Sequence, residues 1–303
     1  MQRNPCFFVL AGLMLSYGIA SSSNEKLAFH LQKERPKLQS WTVGEASGLA
    51  FSPTDPQFMW VVNDSGAMAD LHLLNLDGTD RGVVRVKGAK NVDWEDLASF
   101  TLKGKSYLLI ADSGDNQSSH KSRMLYIVEE PALPKTGQSL ASKIHIAWKI
   151  EYQYEGGPRD CEAVAVDAQE QKILLISKRT KTPIVYELPL KPSDSKATQV
   201  AKKIGKTHVD APKASLVHFA SQPTGLDISA DGSMAAVVTY FGVFLFRHQT
   251  KESWSDTFDR KPIKLSPHLL PQAESIAFTK DMKSLYVISE GFGTPIVRYQ
   301  KDQ

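Results

Sequence analysis

The chain has 303 residues, of which 42% are hydrophobic and 23% charged, with a formal net charge of +3. So small an imbalance excludes recognition of nucleic acid by bulk electrostatics, and a chain of this length buries an adequate apolar core without disulfides. Only two cysteines are present, Cys6 and Cys161, and neither has the Leu-x-x-Cys context of a lipoprotein.

Residues 1–20 read as a signal peptide. Arg3 precedes the apolar run CFFVLAGLMLSYGIA, and the small residues Gly18, Ala20 and Ser21 flank a cut after Ala20. The run falls short of the ~20 apolar residues that a membrane span needs. SSSNEK follows it abruptly, and no later stretch has that character. The mature chain is expected in the periplasm or secreted, with no integral membrane association after cleavage. It would keep one cysteine, Cys161, and a charge of +2 once Arg3 is lost.

Residues 21–44 are expected to supply a closing strand, from KLAFHL or KLQSWTV, and residues 45–303 to form a single domain. Within that domain one two-strand phrase occurs five times. Its first member starts at Ser47 (SGLAF), Glu95 (EDLASF), Glu162 (EAVAV), Thr224 (TGLDI) and Glu274 (ESIAF). A second apolar run ends on Asp64 (WVVND), Asp112 (LLIAD), Lys178 (LLISK), Tyr240 (AVVTY) or Glu290 (YVISE), and a third strand follows each. Successive phrases are 48, 67, 62 and 50 residues apart, and the longer intervals hold PALPKTGQSLASK and PLKPSDSKATQ, which read as loops. A repeat of about 50 residues with three or four strands predicts an all-β fold, a β-propeller of five blades. Six blades are the alternative, should residues 205–221 and the N-terminal segment hide further strands. The fifth blade runs out of chain after its third strand, so an N-terminal strand is expected to close the ring and cover its edge.

In a propeller the loops entering each inner strand and those leaving the second strand share one face. The two polar columns should therefore converge on one channel mouth. The first holds Ser47, Glu95, Glu162, Thr224 and Glu274, with Glu45, Asp93, Asp160, Gln222 and Gln272 two residues upstream; the second holds Asp64, Asp112, Lys178, Tyr240 and Glu290. Side chains two apart share one side of an ideal strand, and a bend at the mouth would break that parity. Clustered carboxylates repel unless a bound cation, the basic residues Lys178, Arg179 and Arg159, or protonation neutralises them. None of the eight histidines falls in either column, so an all-oxygen site favours calcium, with magnesium the alternative, over zinc. The metal candidates are Glu45, Asp64, Asp112, Glu162, Glu274 and Glu290. An internal network of ion pairs is the competing reading.

NDSG (63–66) and ADSGDN (111–116) read either as cation loops or as Asx-type turns. Cys161 lacks a neighbouring histidine and reads as a small buried residue rather than a nucleophile. There is no G-x-S-x-G elbow, and nothing predicts an organic cofactor. Trp94 and Tyr240 are candidates to stack on a ligand or to pack between blades.

The phrases ESIAF–LYVISEG, EASGLAFSP and DWEDLASF–YLLIADSGDN resemble those of exported bacterial propellers of the SdiA-regulated and phytase-like kind, and more distantly the gluconolactonase-type propellers. The resemblance implies a divalent cation at the channel mouth and, in some relatives, hydrolysis of lactones or phosphoesters. It places Glu45 like a metal-ligating first-strand glutamate and matches Glu274 and Glu290 to a paired E…SE phrase. The gluconolactonase asparagine ligands have no counterpart at Lys178 or Tyr240. Two functions follow as expectations. One is a metal-assisted hydrolase of an ester, lactone or phosphoester, with Glu95, Glu162 and Glu274 catalytic and Lys178, Arg179, Tyr240 and Arg159 holding a small anionic substrate. The other is a non-catalytic module that binds a sugar, peptide or surface component.

Overall fold

A computed structural model describes residues 29–209 and 221–302. The signal-peptide reading of residues 1–20 lies outside the described residues, as does most of the 205–221 stretch considered for an extra strand. The described chain is all-β, with one six-residue helix, α1 (Trp254–Asp259), capped by the Ser253 side chain. No helix among the described residues is long and apolar enough to cross a membrane.

After β1 (Phe29–Leu31) come five antiparallel meanders. The first is β2 (Ala46–Phe51), β3 (Phe58–Asn63), β4 (Asp70–Asn75) and β5 (Asp80–Lys87); the second is β6 (Trp94–Leu102), β7 (Lys105–Asp112), β8 (Arg123–Glu129) and β9 (Leu140–Tyr154). The third is β10 (Cys161–Asp167), β11 (Lys172–Ser177), β12 (Ile184–Pro189) and β13 (Gln199–Lys206). The fourth is β14 (Gly225–Ile228), β15 (Met234–Thr239), β16 (Gly242–Arg247) and β17 (Ile263–Lys264). The fifth has β18 (Ala273–Phe278), β19 (Ser284–Ser289) and β20 (Val297–Lys301), and β1 pairs antiparallel with β20, from Phe29 opposite Lys301 to Leu31 opposite Tyr299. The N-terminal and C-terminal strands of the described chain thus meet in one sheet through the FHL of residues 29–31, while the following segment adds a bridge from Lys37 to Pro295.

The first strands pack against one another in the order β2, β6, β10, β14, β18, and β18 returns to β2. Between successive meanders lie five apolar clusters, and Leu49, Leu97, Val164, Leu226 and Ile276 each enter a different one. β2, β10 and β18 are buried on both faces, which is why their sequences are continuous apolar runs rather than alternations. β9 lies outermost and alternates buried or half-buried with exposed residues along much of its length. Its N-terminal half also pairs in parallel with β5 and its C-terminal end with β13, which joins three meanders into one twelve-stranded sheet. Gly82 makes the first junction possible. It has φ +111°, and a Cβ there would sit 1.9 Å from the Leu140 carbonyl oxygen.

The inner edge of each first strand has no further strand to pair with, so its N–H groups face the central space and need acceptors. Two carboxylates provide them. Asp96 Oδ1 accepts from Leu97 N (2.8 Å), and its Oδ2 accepts from Val164 N (2.8 Å) and Leu226 N (3.1 Å), linking β6, β10 and β14. Asp227 accepts from Ile228 N (2.9 Å) and Phe278 N (2.7 Å), linking β14 and β18. The residues equivalent to Asp96 in the other meanders are Gly48, Ala163, Gly225 and Ser275, and those equivalent to Asp227 are Ala50, Ala98, Ala165 and Ala277. Small side chains let the strands converge, and one aspartate per level fills the gap. Asp96→Ala leaves three buried N–H groups without their acceptor and should lower unfolding free energy by about 3 kcal/mol or more, whereas Ser275→Ala in the same column should cost about 1 kcal/mol or less. Urea unfolding of the two variants measures the difference.

Candidate functional site

One backbone irregularity recurs at the N-terminal ends of the first strands. The ladder of β2 with β3 skips Ser47, that of β6 with β7 skips Glu95, that of β10 with β11 skips Glu162, and that of β18 with β19 skips Glu274. Thr224 holds the same place just before β14, its N–H donating to Val238 O at 2.9 Å. A bulge leaves one residue out of the pleat and re-aims its side chain, so a glutamate inside an apolar strand is not driven into the core. Ser47 Oγ donates to Trp94 O (2.8 Å) and Thr224 Oγ1 to Ala273 O (2.6 Å), each tying its meander to the next. Glu95, Glu162 and Glu274 instead turn toward a shared opening, where each is an electrostatic neighbour of another. Above the bulges the pairing resumes as Asp64 N to Glu45 O (2.9 Å), Lys178 N to Asp160 O (2.9 Å) and Glu290 N to Gln272 O (3.0 Å), which brings the second column to the same opening.

The cations at this opening are matched to acids. Arg123 Nη2 donates to Asp112 Oδ1 at 2.9 Å, with both side chains buried. Lys178 Nζ donates to Glu162 and, at 3.3 Å, to the Tyr240 hydroxyl. Arg179 Nε donates to Asp160 Oδ2 at 2.6 Å, and the same guanidinium reaches Asn116. Arg179 has φ 58°, a left-handed conformation that is costly for a side chain this large, and Gln222 accepts its N–H. The Tyr240 hydroxyl donates to Glu274 Oε1 (2.6 Å), and the Glu290 carboxyl is a close acidic neighbour of Glu274. Gln272 Nε2 donates to Glu290 Oε2 at 2.7 Å.

Asp64, Asp93 and Glu95 form no salt bridge among the described residues. One oxygen from each lies within 4.8 Å of the others, and Glu95, Asp160 and Glu162 form a second such group, so Glu95 is common to both. Glu95 is 5% exposed. Burial and then the negative charges of Glu162, Asp64, Asp93 and Glu274 push its carboxyl well above the usual range. Burial with Asp64 raises Asp93 to about 6. Glu162 rises to about 8 because burial and surrounding acids outweigh Lys178. Glu274 also rises to about 8, chiefly by burial and then by the neighbouring Glu290. Gly114 lets its loop lie against this group: a Cβ there would stand 2.1 Å from Glu95 Oε1 and 2.6 Å from Asp93 Oδ2.

Other sequence candidates have different surroundings. Glu45 is exposed, on the rim. Arg159 turns back on its own loop, donating to Pro158 O (2.7 Å) and Gly156 O (3.1 Å). In ADSGDN, Asp115 accepts from Ser119 N (2.9 Å) and His120 N (2.8 Å), so this aspartate closes a turn. Trp94 is fully buried with its Nε1 donating to Lys90 O, and its ring packs between meanders. Cys161 is buried, and desolvation pushes its thiol up to about 12, which removes it as a nucleophile. Sequence reasoning missed Arg123, which follows no repeated phrase. It also missed Trp41 and Phe292, 84% and 61% exposed, whose ring centroids lie 6.1 Å apart on the rim beside Gly44 and Glu45. Asp93 stood two residues upstream of the first column, and its role shows only once the opening is assembled.

No protein-family model matches the sequence, and no curated protein matches it. Among solved structures, a chain of Kuenenia stuttgartiensis hydrazine synthase is similar at 11% identity and TM-score 0.43, with 81% of this chain and 68% of that one covered.

The raised acids fix the sign of the pH dependence. Asp93, Glu162 and Glu274 hold protons in the folded state at pH values where the unfolded chain has released them. Their contribution to stability is therefore present at low pH and lost as pH rises from about 4 through about 8. The melting temperature of the metal-free protein should fall by several degrees between about pH 5 and pH 8, and Glu95→Gln should flatten the profile. Thermal unfolding in chelator-treated buffers checks both.

Proposed function

We propose that this chain is an exported five-bladed β-propeller whose acidic opening binds a divalent cation and, through it, a small anionic ligand. The blade reading is supported by five meanders whose first strands pack in cyclic order. The export reading rests on the leader-like residues 1–20, and the kinship with SdiA-regulated and phytase-like propellers rests on the repeated phrases. The observation that carries the cation is Glu95. It is buried, shared by two groups of three carboxylates, and surrounded by acids while every nearby basic side chain is matched to another acid. A bound ion removes that repulsion, and oxygen-only donors suit calcium or magnesium. Asp64, Asp93, Glu95, Asp160 and Glu162 would hold it. An ion there offers an anionic group its open coordination positions, and Arg179 at the rim adds a positive charge.

Calcium should raise the melting temperature of the purified protein, by an amount equivalent to about 2.7 kcal/mol at a concentration 100 times Kd. Glu95→Gln should abolish the increase while leaving the metal-free protein as stable as the parent or more so, because it removes a buried repulsion. Isothermal titration with calcium and magnesium measures the affinity. Absence of binding to either ion would leave the ion-pair network as the sole role of these residues.

A specific feature favours catalysis as a second reading. Glu274, with its carboxyl at about 8 and bonded to Tyr240, is an acid kept protonated at neutral pH beside the cation site. In a metal-assisted hydrolase it would protonate the leaving oxygen. Lactone, phosphomonoester and phosphodiester substrates with calcium present test this, and Glu274→Gln should lower kcat about 10²- to 10⁴-fold. Cation binding without turnover leaves ligand recognition as the function.

A further inference from the structure

The opposite, C-terminal ends of the first strands enclose a cavity of about 280 Å³. Phe51, Phe100, Val166, Ile228 and Phe278 form its apolar wall, and Asp227 stands in it as the one carboxylate of a column that is alanine in the other four meanders. Each Asp227 oxygen accepts one backbone N–H, from Ile228 and from Phe278, and each retains a free acceptor direction. The other charged groups of the wall are differently engaged. Asp167 accepts from Gln169 N, Glu170 N and Trp254 Nε1, and Lys280 is exposed with its Nζ on Pro53 O. Asp227 forms no salt bridge among the described residues.

We propose that this cavity binds a compact organic ammonium ion, with its apolar body against the phenylalanines and its N–H groups on Asp227. A carboxylate half-buried among aromatic rings is complemented by a cation that offers N–H donors to the carboxylate and an apolar body to the rings. A bare metal ion would find too few oxygen ligands there, and an anion would meet the Asp227 charge. The volume sets the size of the body: an apolar cavity of about 150 Å³ holds benzene, so about 280 Å³ holds one aromatic ring with a short aminoalkyl arm. Asp96 lies between this cavity and the acidic opening, bonded across β6, β10 and β14, so the two sites are separate and this one does not depend on the cation reading.

The test is a titration of the ¹⁵N-labelled protein with 2-phenylethylammonium chloride, beside 2-phenylethanol and phenylacetate. Burial pushes the Asp227 carboxyl up to about 7, with Asp96 above it and Asp167 and Lys280 at the rim, so the measurement is made near pH 8. The expected result is saturable binding of the ammonium that shifts the Ile228 and Phe278 amides, at least tenfold weaker binding of the alcohol, and none of phenylacetate. Asp227→Asn should weaken the ammonium at least tenfold, and Glu95→Gln should leave it unchanged. Ser99→Phe fills the cavity with a side chain that Phe51 and Phe278 already place at the equivalent position. It should abolish binding, and it decides the matter if Asp227→Asn fails to fold. Equal affinity for ammonium and alcohol, binding that survives Ser99→Phe, shifts confined to the acidic opening, or no saturable binding would each overturn the proposal.

Discussion

The Asp96 carboxylate is the interaction on which the centre of this molecule depends. Five first strands converge with their unpaired edges turned inward, and each edge presents N–H groups that have no strand to bond. The small residues Gly48, Ala163, Gly225 and Ser275 allow the approach; the first three have no side-chain acceptor, and the Ser275 hydroxyl donates to Ile288 O within its own meander. A carboxylate has acceptor capacity for several donors at once, and Asp96 takes three from three meanders. Burial raises its carboxyl well above the ordinary range even though all three backbone bonds favour the charged form. Desolvation is therefore the larger effect, and the carboxylate is retained because an apolar replacement would leave the inward amides unpaired.

The acidic opening is a consequence of the same convergence, modified by four bulges. In a regular strand Glu95, Glu162 and Glu274 would alternate into the packed interface between meanders. Displaced from the pleat, they face one another at the strand ends. That arrangement accumulates negative charge, and Arg123, Lys178 and Arg179 neutralise Asp112, Glu162 and Asp160 in turn. The uncompensated remainder is localised at Asp64, Asp93 and Glu95, while burial and Glu290 raise Glu274 nearby. The expectation that Lys178 and Arg179 hold an anionic group remains a proposal, and for Lys178 it competes with a buried bond to Glu162.

Outside the centre, stability is tied across meanders by β9. Its parallel pairing with β5 and β13 means that loss of one outer strand exposes the edges of two others. The β1–β20 pairing does the same for the chain ends, covering an edge that would otherwise be open to another chain. Phe29 and Leu38 are buried by that closure.

Much of the architecture is local and therefore legible in the chain. Short apolar runs at regular spacing, with turn residues between them, are sufficient to predict strands, an all-β fold and a repeat of about 50 residues, because strand formation reads nearest neighbours and period two. The two polar columns are legible for the same reason, since a glutamate opening an apolar run stands out against it. The tertiary structure alone decided the rest. Whether Glu95 faces the core or the opening depends on a bulge, a property of the pairing with β7 and not of β6 itself. Which acid meets which cation depends on loops of different meanders, so Arg123 carries no local mark, and Asp93 is marked only as one of an oxygen-bearing column, while Arg159 spends two donors on its own loop. Asp96 and Asp227 are visible in the sequence as aspartates among small residues, but their meaning comes from strands up to 130 residues away whose amides they accept. Local pattern determines which segments become strands; the free energy of buried charge and unpaired amides, which depends on what arrives from elsewhere in the chain, determines what their polar residues do.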